Sequence, residues 1–276
     1  MKKILITGNS GYIGSHLCKM LDGEYEIVGL DIKDPQYKVS RHFNRNIKNQ
    51  FTLKKEHFDA VIHLAALVNV GESQRTPTDY YLTNMIGSLN LLTWVDTDNF
   101  IFASTGAAEK CESAYGTSKK AAEDCIKEMC EYRNIPYTIF RFYNVIGSDG
   151  FAPTNPDGLM YNLFKAKDTG EFTIFGKNYN ESWDGTCVRD YVHVNEICDA
   201  LRTAIETPSN NIECLGHGVG YTVKEMVSIF ETVNNLTIDV KYGPRREGDI
   251  AVSVLGNVSE YMKHLYDIKD LLKIDK

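Results

Sequence analysis

The stretch "KILITGNSGYIGSH", residues 3–16, does most to limit how this chain folds. A short apolar run, Lys3–Thr7, leads into Gly8, Gly11 and Gly14, and a helical pattern opens at Tyr12. Three glycines between a strand and a helix make a βα turn of a particular kind. The first allows the tight turn. The second lets backbone N–H groups approach an anion at the helix N-terminus, and the third lets helix and strand pack closely. Asp31 ends the next apolar run, where a carboxylate can accept hydrogen bonds from both hydroxyls of an adenosine ribose and repels a 2′-phosphate. The combination points to NAD rather than NADP, a preference that Lys33 weakens slightly. An ordinary βα turn is the alternative.

Short apolar runs then alternate with helical patterns. The runs predict strands at Lys3–Thr7, Glu26–Leu30, Ala60–Leu64, Phe100–Ala103 and Tyr137–Phe142. Helices are predicted near Tyr12–Leu21, Pro77–Val95 and Ser113–Arg133, the last with Ala122, Ile126 and Met129 at helical spacing. Strands separated by helices imply βαβ units and an α/β fold: a Rossmann-type, doubly wound parallel sheet. Pro35–Lys55 is polar, so any strand there is short. After Asn144 the texture changes. Residues 145–190 are rich in Gly, Asn, Asp and Pro with little periodicity; helices return at Val194–Ile205 and Val223–Val233, a strand at Ile238–Tyr242, and a last helix near Val258–Leu265. The expected division is a NAD-binding domain over 1–144 and a smaller, loop-rich substrate-binding lobe over 145–276, with some segments returning to the first domain. A second glycine cluster, "LGHGVGYTV" at 215–223, has no matching acidic residue on a following strand and reads as a turn.

Bulk properties exclude several classes. With 276 residues, 43% of them hydrophobic, the chain can bury one large core or a core plus a lobe. The net charge is −7 and no Lys/Arg stripe is present, which argues against nucleic acid. No apolar run reaches membrane-spanning length, so no membrane partner is expected. "MKKILITG" reads as a buried strand rather than a leader, because its apolar part stops at Gly8. Seven cysteines without a C-x-x-C pair fit free thiols in a reducing cytoplasm, Cys111 standing out in the loop before Tyr115. Seven histidines without ligand spacing give no support for a metal.

The chemistry concentrates in "IFASTG", 101–106, and "SAYGTSKKAAED", 113–124. The first ends a central strand at its carboxyl edge, where ligands bind in such sheets, and the second opens a helix at the same edge. Ser104, Thr105, Tyr115 and Lys119 are therefore expected to converge. Lys119, one turn below Tyr115, would stabilise a phenolate and draw its pKa toward working pH. A solvated helix pair is the alternative.

Through TGxxGxxG at 7–14 and Tyr115-x-x-x-Lys119, the chain resembles the extended short-chain dehydrogenase/reductase superfamily, and within it the UDP-hexose 4-epimerases. The matching stretches are "ITGNSGYIGSH", "VIHLAALVNVGES", "DYYLTNMIGSLNLL", "YGTSK", "RFYNVIG", "FGKNY", "DGTCVRDYVHV", "LGHGVG" and "PRREGD". The resemblance implies NAD-dependent inversion at C4 of UDP-glucose and UDP-galactose through a 4-keto sugar. It implies Thr105, Tyr115 and Lys119 as the catalytic set, with Tyr115 as acid/base. Gly8, Gly11, Tyr12, Ile13, Gly14, Asp31, Ala65, Asn84, Tyr115 and Lys119 would line the cofactor. Thr105, Asn144, Leu159, Phe175, Arg189, Tyr191, Arg246, Asp249 and Ser253 would line the UDP-sugar. Ser253 stands where a bulky tyrosine often restricts the sugar's 2-substituent, which implies room for UDP-GlcNAc and UDP-GalNAc. A homodimer is implied through the helices near 77–95 and 113–133, with Tyr80, Leu91 and Met129 on outward faces.

The chain also departs from the family pattern. The segment from Thr105 to Tyr115 is short, Asn46 stands where an aspartate often contacts adenine, Val68 replaces a common lysine, and Gly158 replaces a substrate-contacting asparagine. A dehydratase relative would carry Asp-Glu after the threonine, and here Gly106-Ala107 follow. A decarboxylase and a non-catalytic NAD-binding protein are the other readings.

Overall fold

The computed structural model describes residues 1–49, 56–246 and 248–274. The chain divides into two compact units, Met1–Arg141 with Cys198–Glu213, and Phe142–Ile197 with Cys214–Lys276.

The first unit is built on a seven-stranded sheet. Its strands lie in the order Asn210–Leu215, Tyr137–Phe142, Phe100–Thr105, Ala60–His63, Lys3–Thr7, Glu26–Asp31, Arg41–Asn44. Lys3–Thr7 pairs in parallel with both Glu26–Asp31 and Ala60–His63, and Ala60–His63 with Phe100–Thr105. The chain thus starts in the middle, runs outward to Arg41–Asn44, and returns to the other side of its own first strand. That reversal between Lys3–Thr7 and Ala60–His63 is the topological switch point, where open α/β sheets receive ligands. Near-continuous apolar strands suit a sheet covered on both faces. Leu5, Val28, Leu30, Val61, Phe100 and Phe102 are fully buried together with Ala122 and Ile126 of the helix Ala114–Arg133.

The stretch predicted as one helix over 77–95 is three segments: Pro77–Tyr80, a π-helical stretch Tyr81–Ile86, and Gly87–Trp94. Tyr80 and Leu91, expected on outward faces, are fully buried in this chain's own core; Met129 packs partly against it, and Leu82 and Tyr132 are the large side chains these helices expose. Two short helices were not foreseen, Val70–Arg75 and Ala107–Lys110. The short strand in the polar stretch after Pro35 is Arg41–Asn44, and residues 50–55 of that stretch lie outside the described residues.

The second unit holds a four-stranded sheet. Its strand Val188–His193 pairs in parallel with Asn144–Ile146 and Val252–Ser253 and antiparallel with Gly220–Thr222. Glu171–Phe175 pairs in parallel with Asp239–Gly243. Residues 145–190 are more regular than their composition suggests. They contain the helix Leu159–Thr169, whose Met160, Leu163 and Ala166 are buried against Phe172, Ile174 and Phe230. The second glycine cluster supplies the strand Gly220–Thr222 and then a helix, Val223–Asn234. Thr222 and Glu225 cap that helix reciprocally, so its own side chains take donors that a phosphate would need.

The predicted helix near Val258–Leu265 is absent. Its place is taken by irregular chain, followed by a five-residue helix, Ile268–Leu272, capped by Asp267 and Asp270. Buried carboxylates compete for the backbone donors here: Asp190 accepts from Leu255 N at 3.2 Å and Glu196 from Leu265 N at 2.9 Å. His264, at φ +49°, is incompatible with a continuing helix.

Candidate active site

At the end of Lys3–Thr7 the backbone turns at Gly8, with φ +74°, and a Cβ there would stand 2.8 Å from the backbone nitrogen of Ala65. Gly11 is the N-cap of the helix Tyr12–Met20, and no side chain caps that end. A Cβ on Gly14 would overlap the carbonyl oxygen of Gly8, so only glycine lets this helix lie so close to the turn. Tyr12 and Ile13 form the first turn; Tyr12 packs edge-on against His16, and burial raises its phenol pKa. Asp31 accepts from Ser10 N at 3.2 Å and Lys33 N at 3.0 Å, which fixes its carboxylate at the end of the second strand. Asn9, buried beside Gly29, has neither amide atom hydrogen-bonded among the described residues. This is a cradle that side chains would fill, with an uncapped helix end and an oriented carboxylate. It fits the pyrophosphate and ribose of a dinucleotide.

A buried hydrogen-bond chain runs from this turn to the helix Ala114–Arg133. Ala65 N donates to Thr7 Oγ1 at 3.2 Å, and Thr7 meets His63 Nδ1 at 2.7 Å. His63 Nε2 meets Ser88 Oγ at 2.8 Å, and Ser88 donates to Asn84 O at 2.6 Å. Since Ser88 and Thr7 spend their protons in this order, His63 carries its proton on Nε2. Burial holds it neutral, with its pKa pushed down to about 3. Asn84, in the π-helical stretch, donates to Leu67 O at 3.0 Å and Ser118 Oγ at 3.1 Å, and accepts from Leu67 N at 2.8 Å. Its amide is committed to the protein and ties the loop after His63 to the catalytic helix. His63, Ser88 and Ser118 escaped the sequence reading. A histidine ending a central strand was the available signal.

The Thr105 side chain lies beside the Tyr115 phenol and favours its ionised form. Lys119 lies one turn further along, 3% exposed, with Nζ 4.0 Å above the centre of the Phe102 ring. Ser104, expected to converge with them, does not. Neighbouring strand residues face opposite ways, and Ser104 Oγ donates instead to Glu123. The electrostatics also differ from expectation. Burial raises the Tyr115 pKa against the opposing effect of the Thr105 side chain, and Lys119 is not among the groups that move it. Burial lowers Lys119 itself to about 7, opposed by Glu123. The chain alone therefore biases both groups toward their neutral forms.

The short connection from Thr105 to Tyr115 is a one-turn helix, Ala107–Lys110, turned back by Cys111 at φ +54°. Ser113 Oγ then caps the catalytic helix by accepting from Gly116 N at 3.1 Å, and Gln74 Oε1 accepts from Ala114 N at 3.2 Å. A Cβ on Gly116 would stand 2.5 Å from the Ala107 carbonyl oxygen, so the shortened segment presses directly on the helix.

The remaining candidates lie in the second unit. Arg189 Nη2 pairs with Asp249 Oδ1 at 2.5 Å, and Nη1 donates to Val188 O and Ala251 O at 2.9 and 3.3 Å. Ser253 is in register with Arg189 on the neighbouring strand. Arg246 lies 4.2 Å over the Phe175 ring and donates to Asp157 O at 3.0 Å. Asn144 Nδ2 donates to Asp190 O at 3.0 Å and stands in register with Tyr191, which is buried and whose phenol pKa burial raises. Leu159 opens the helix after Gly158, its N-cap. Arg245, stacked 3.9 Å over Tyr179, was not singled out from the sequence. Among the described residues no cluster of His, Cys, Asp and Glu suits a metal ion, and no helix is long and apolar enough to cross a membrane.

The model of the NAD dependent epimerase/dehydratase family matches residues 4–214. The chain belongs to that family. A UDP-glucose 4-epimerase of Haemophilus influenzae is 32% identical over 296 aligned positions, covering 90% of this chain and 87% of that protein. The structure of a UDP-glucose 4-epimerase from Thermotoga maritima with UDP-glucose superposes with a TM-score of 0.83 at 26% identity, covering 98% of this chain and 96% of that one. A Bifidobacterium longum UDP-glucose 4-epimerase with NAD+ and UDP shares the fold, with a TM-score of 0.85 at 23% identity over 98% and 96% of the two chains.

The position of Lys119 has a consequence for stability. In the folded chain it releases its proton near pH 7, whereas an unfolded lysine holds its proton to about 10.4. Between those values the unfolded state binds more protons, so stability rises with pH; below about 7 both states are protonated and the folded state bears the full cost. Urea denaturation of the cofactor-free protein from pH 7 to 9.5 is expected to show this rise, and Lys119→Met to flatten it. An equal slope in both proteins would count against a buried, depressed Lys119.

Proposed function

We propose that this chain is an NAD-dependent 4-epimerase of UDP-hexoses, interconverting UDP-glucose and UDP-galactose and accepting their N-acetylated counterparts. The observation that carries this is the meeting of the Thr105 and Tyr115 side chains, with Lys119 buried one turn further along the same helix, on the carboxyl side of a sheet whose first turn fits a dinucleotide. The named relatives support the same reaction.

NAD, when bound, supplies a hydride acceptor and donor at the sugar C4, which leaves no net oxidation. The turn Gly8–Gly14 and the N-terminus of Tyr12–Met20 would hold its pyrophosphate, and Asp31 its adenosine ribose. Lys119 would bind the nicotinamide ribose. Tyr115 takes the proton from the sugar O4 and later returns one, while Thr105 orients that oxygen. Burial and not Lys119 dominates the phenol in this chain, and the positive charge of an oxidised nicotinamide, when bound, would favour the phenolate form of Tyr115. Arg189 and Arg246 suit the diphosphate and Phe175 the flat face of uracil, with Asn144, Leu159, Tyr191 and Asp249 around them.

Elimination chemistry would need a second acid directly after Thr105, and the sequence places none there. Gly106 and Ala107 follow it, and the next carboxylate, Glu109, faces Arg141 at 3.5 Å. In this reading the protein is a cytoplasmic homodimer paired through the helices of residues 77–94 and 114–133, consistent with cysteines that are all free. Sedimentation showing only monomer at micromolar concentration would exclude the pairing.

Tyr115→Phe is expected to lower the UDP-galactose to UDP-glucose turnover by at least about 10²–10⁴-fold, the usual contribution of an acid–base group, with NAD still bound. A Phe variant as active as the parent would end the assignment. For substrate width, added bulk in a packed site costs roughly 1–3 kcal/mol. Ser253→Tyr should therefore lower kcat/KM for UDP-GalNAc by about 5- to 150-fold and affect UDP-galactose much less. Equal losses on both substrates would remove Ser253 from specificity.

A further inference from the structure

A buried carboxylate that the proposed chemistry does not use sits directly behind it. Glu123 lies one turn beyond Lys119 on the helix Ala114–Arg133 and is 1% exposed. A carboxylate so far from water is costly unless it is fully paired. Here Ser104 Oγ donates to Oε1 at 2.5 Å, Arg141 Nε donates to Oε1 at 3.0 Å, and Arg141 Nη2 donates to Oε2 at 2.7 Å. The two-pronged grip of a guanidinium fixes orientation as well as charge. Arg141 also faces Glu109 on the one-turn helix before Tyr115.

Three elements meet at this carboxylate: the strand that ends in Thr105, the helix that carries Tyr115 and Lys119, and the strand Tyr137–Phe142 that carries Arg141. Ser104 is covalently next to Thr105. Pinning Ser104 to the helix therefore sets where Thr105 meets Tyr115. The charges around Lys119 point to a second effect. From its own helix Tyr115 and Glu123 face it; from the sheet come His63 and the ring of Phe102, with Arg141 beyond Glu123. His63 is held neutral by its hydrogen bonds and burial. Glu123 is the group in this set that favours an ammonium ion on Lys119.

We propose that Glu123 is a positioning residue for the acid–base step: clamped by Ser104 and Arg141, its carboxylate keeps Thr105 and Tyr115 in register and supplies the negative charge that favours the ammonium form of Lys119 against its burial. The inference deepens the epimerase reading and rests on it. Its signature is the alkaline limit of activity, which a carboxylate serving only to pack the core would not set.

Glu123→Gln alone leaves the buried Arg141 without its counter-charge and is expected to fold poorly. The deciding variant is E123Q/R141M, which removes both charges together and keeps the side-chain volumes close. The Lys119 titration is followed by NMR of protein labelled at lysine Cε, without substrate, alongside kcat/KM for UDP-galactose against pH. In E123Q/R141M the Lys119 midpoint is expected to fall by about one pH unit, a roughly tenfold loss of the protonated fraction on the alkaline side, and the alkaline limb of the activity profile to fall with it. Glu123→Asp keeps the charge and shortens the reach. It should hold the midpoint near that of the parent while lowering kcat, which separates register from charge. An unmoved Lys119 midpoint in E123Q/R141M, with turnover reduced equally at every pH, overturns the proposal. A midpoint that moves in a protein whose parent turns over no UDP-sugar overturns the epimerase reading and leaves the action of Glu123 on Lys119 standing.

Discussion

The contact between the first helix and the first turn is the constraint on which the rest of the first unit depends. Gly8 bends the chain at positive φ against Ala65, and Gly14 lets the helix Tyr12–Met20 rest on the Gly8 carbonyl with no side chain between. That contact aims the uncapped helix end past Lys3–Thr7 at the switch point of the sheet. Asp31, on the adjacent strand, then falls within reach of Ser10 N. A βα turn with larger residues would push the helix away and take both the anion-binding donors and the carboxylate alignment with it.

Electrostatics in the catalytic helix follow from burial. Lys119 and Tyr115 are packed where water is scarce, and low dielectric favours the neutral form of each. The helix spacing that brings them together does not by itself activate them. Thr105 and Glu123 oppose the burial, one beside the phenol and the other by charge near the ammonium.

The shortened path from Thr105 to Tyr115 is rebuilt rather than lost. A single helical turn, a left-handed Cys111 and a serine cap carry the chain back to the catalytic helix. Gly116 makes that return possible, because a side chain there would meet the Ala107 carbonyl. The compact connection thus still brings Thr105 to the Tyr115 phenol. In the second unit, the buried carboxylates Asp190 and Glu196 organise the chain after Ser253 in a comparable way, each holding backbone donors from separate segments.

The α/β class, the glycine turn with Asp31, and the Tyr115–Lys119 pair were legible because each is local: hydrophobic period, glycine spacing and i,i+4 placement on one helix. The strands Lys3–Thr7, Glu26–Asp31, Ala60–His63, Phe100–Thr105 and Tyr137–Phe142 and the helices Tyr12–Met20 and Ala114–Arg133 follow from the same periodicities, whereas the short helices Val70–Arg75 and Ala107–Lys110 do not. What failed depended on partners distant in sequence. The segment 258–265 has a helical pattern, yet Glu196 takes the Leu265 N–H, and no local signal reveals a carboxylate so far away in the chain. Tyr80 and Leu91 read as surface and are core: Tyr80 donates to the Asn69 carbonyl at 2.6 Å and Leu91 packs with Leu92 and Ile126, partners that the helix pattern alone does not reveal. Ser104 and Thr105 look equivalent in sequence, and only the strand's two faces separate them. The chain's residue order determined which chemistry it carries. Which groups are charged, which face Tyr115 and which support it were decided by tertiary packing, because burial and long-range hydrogen bonds set both.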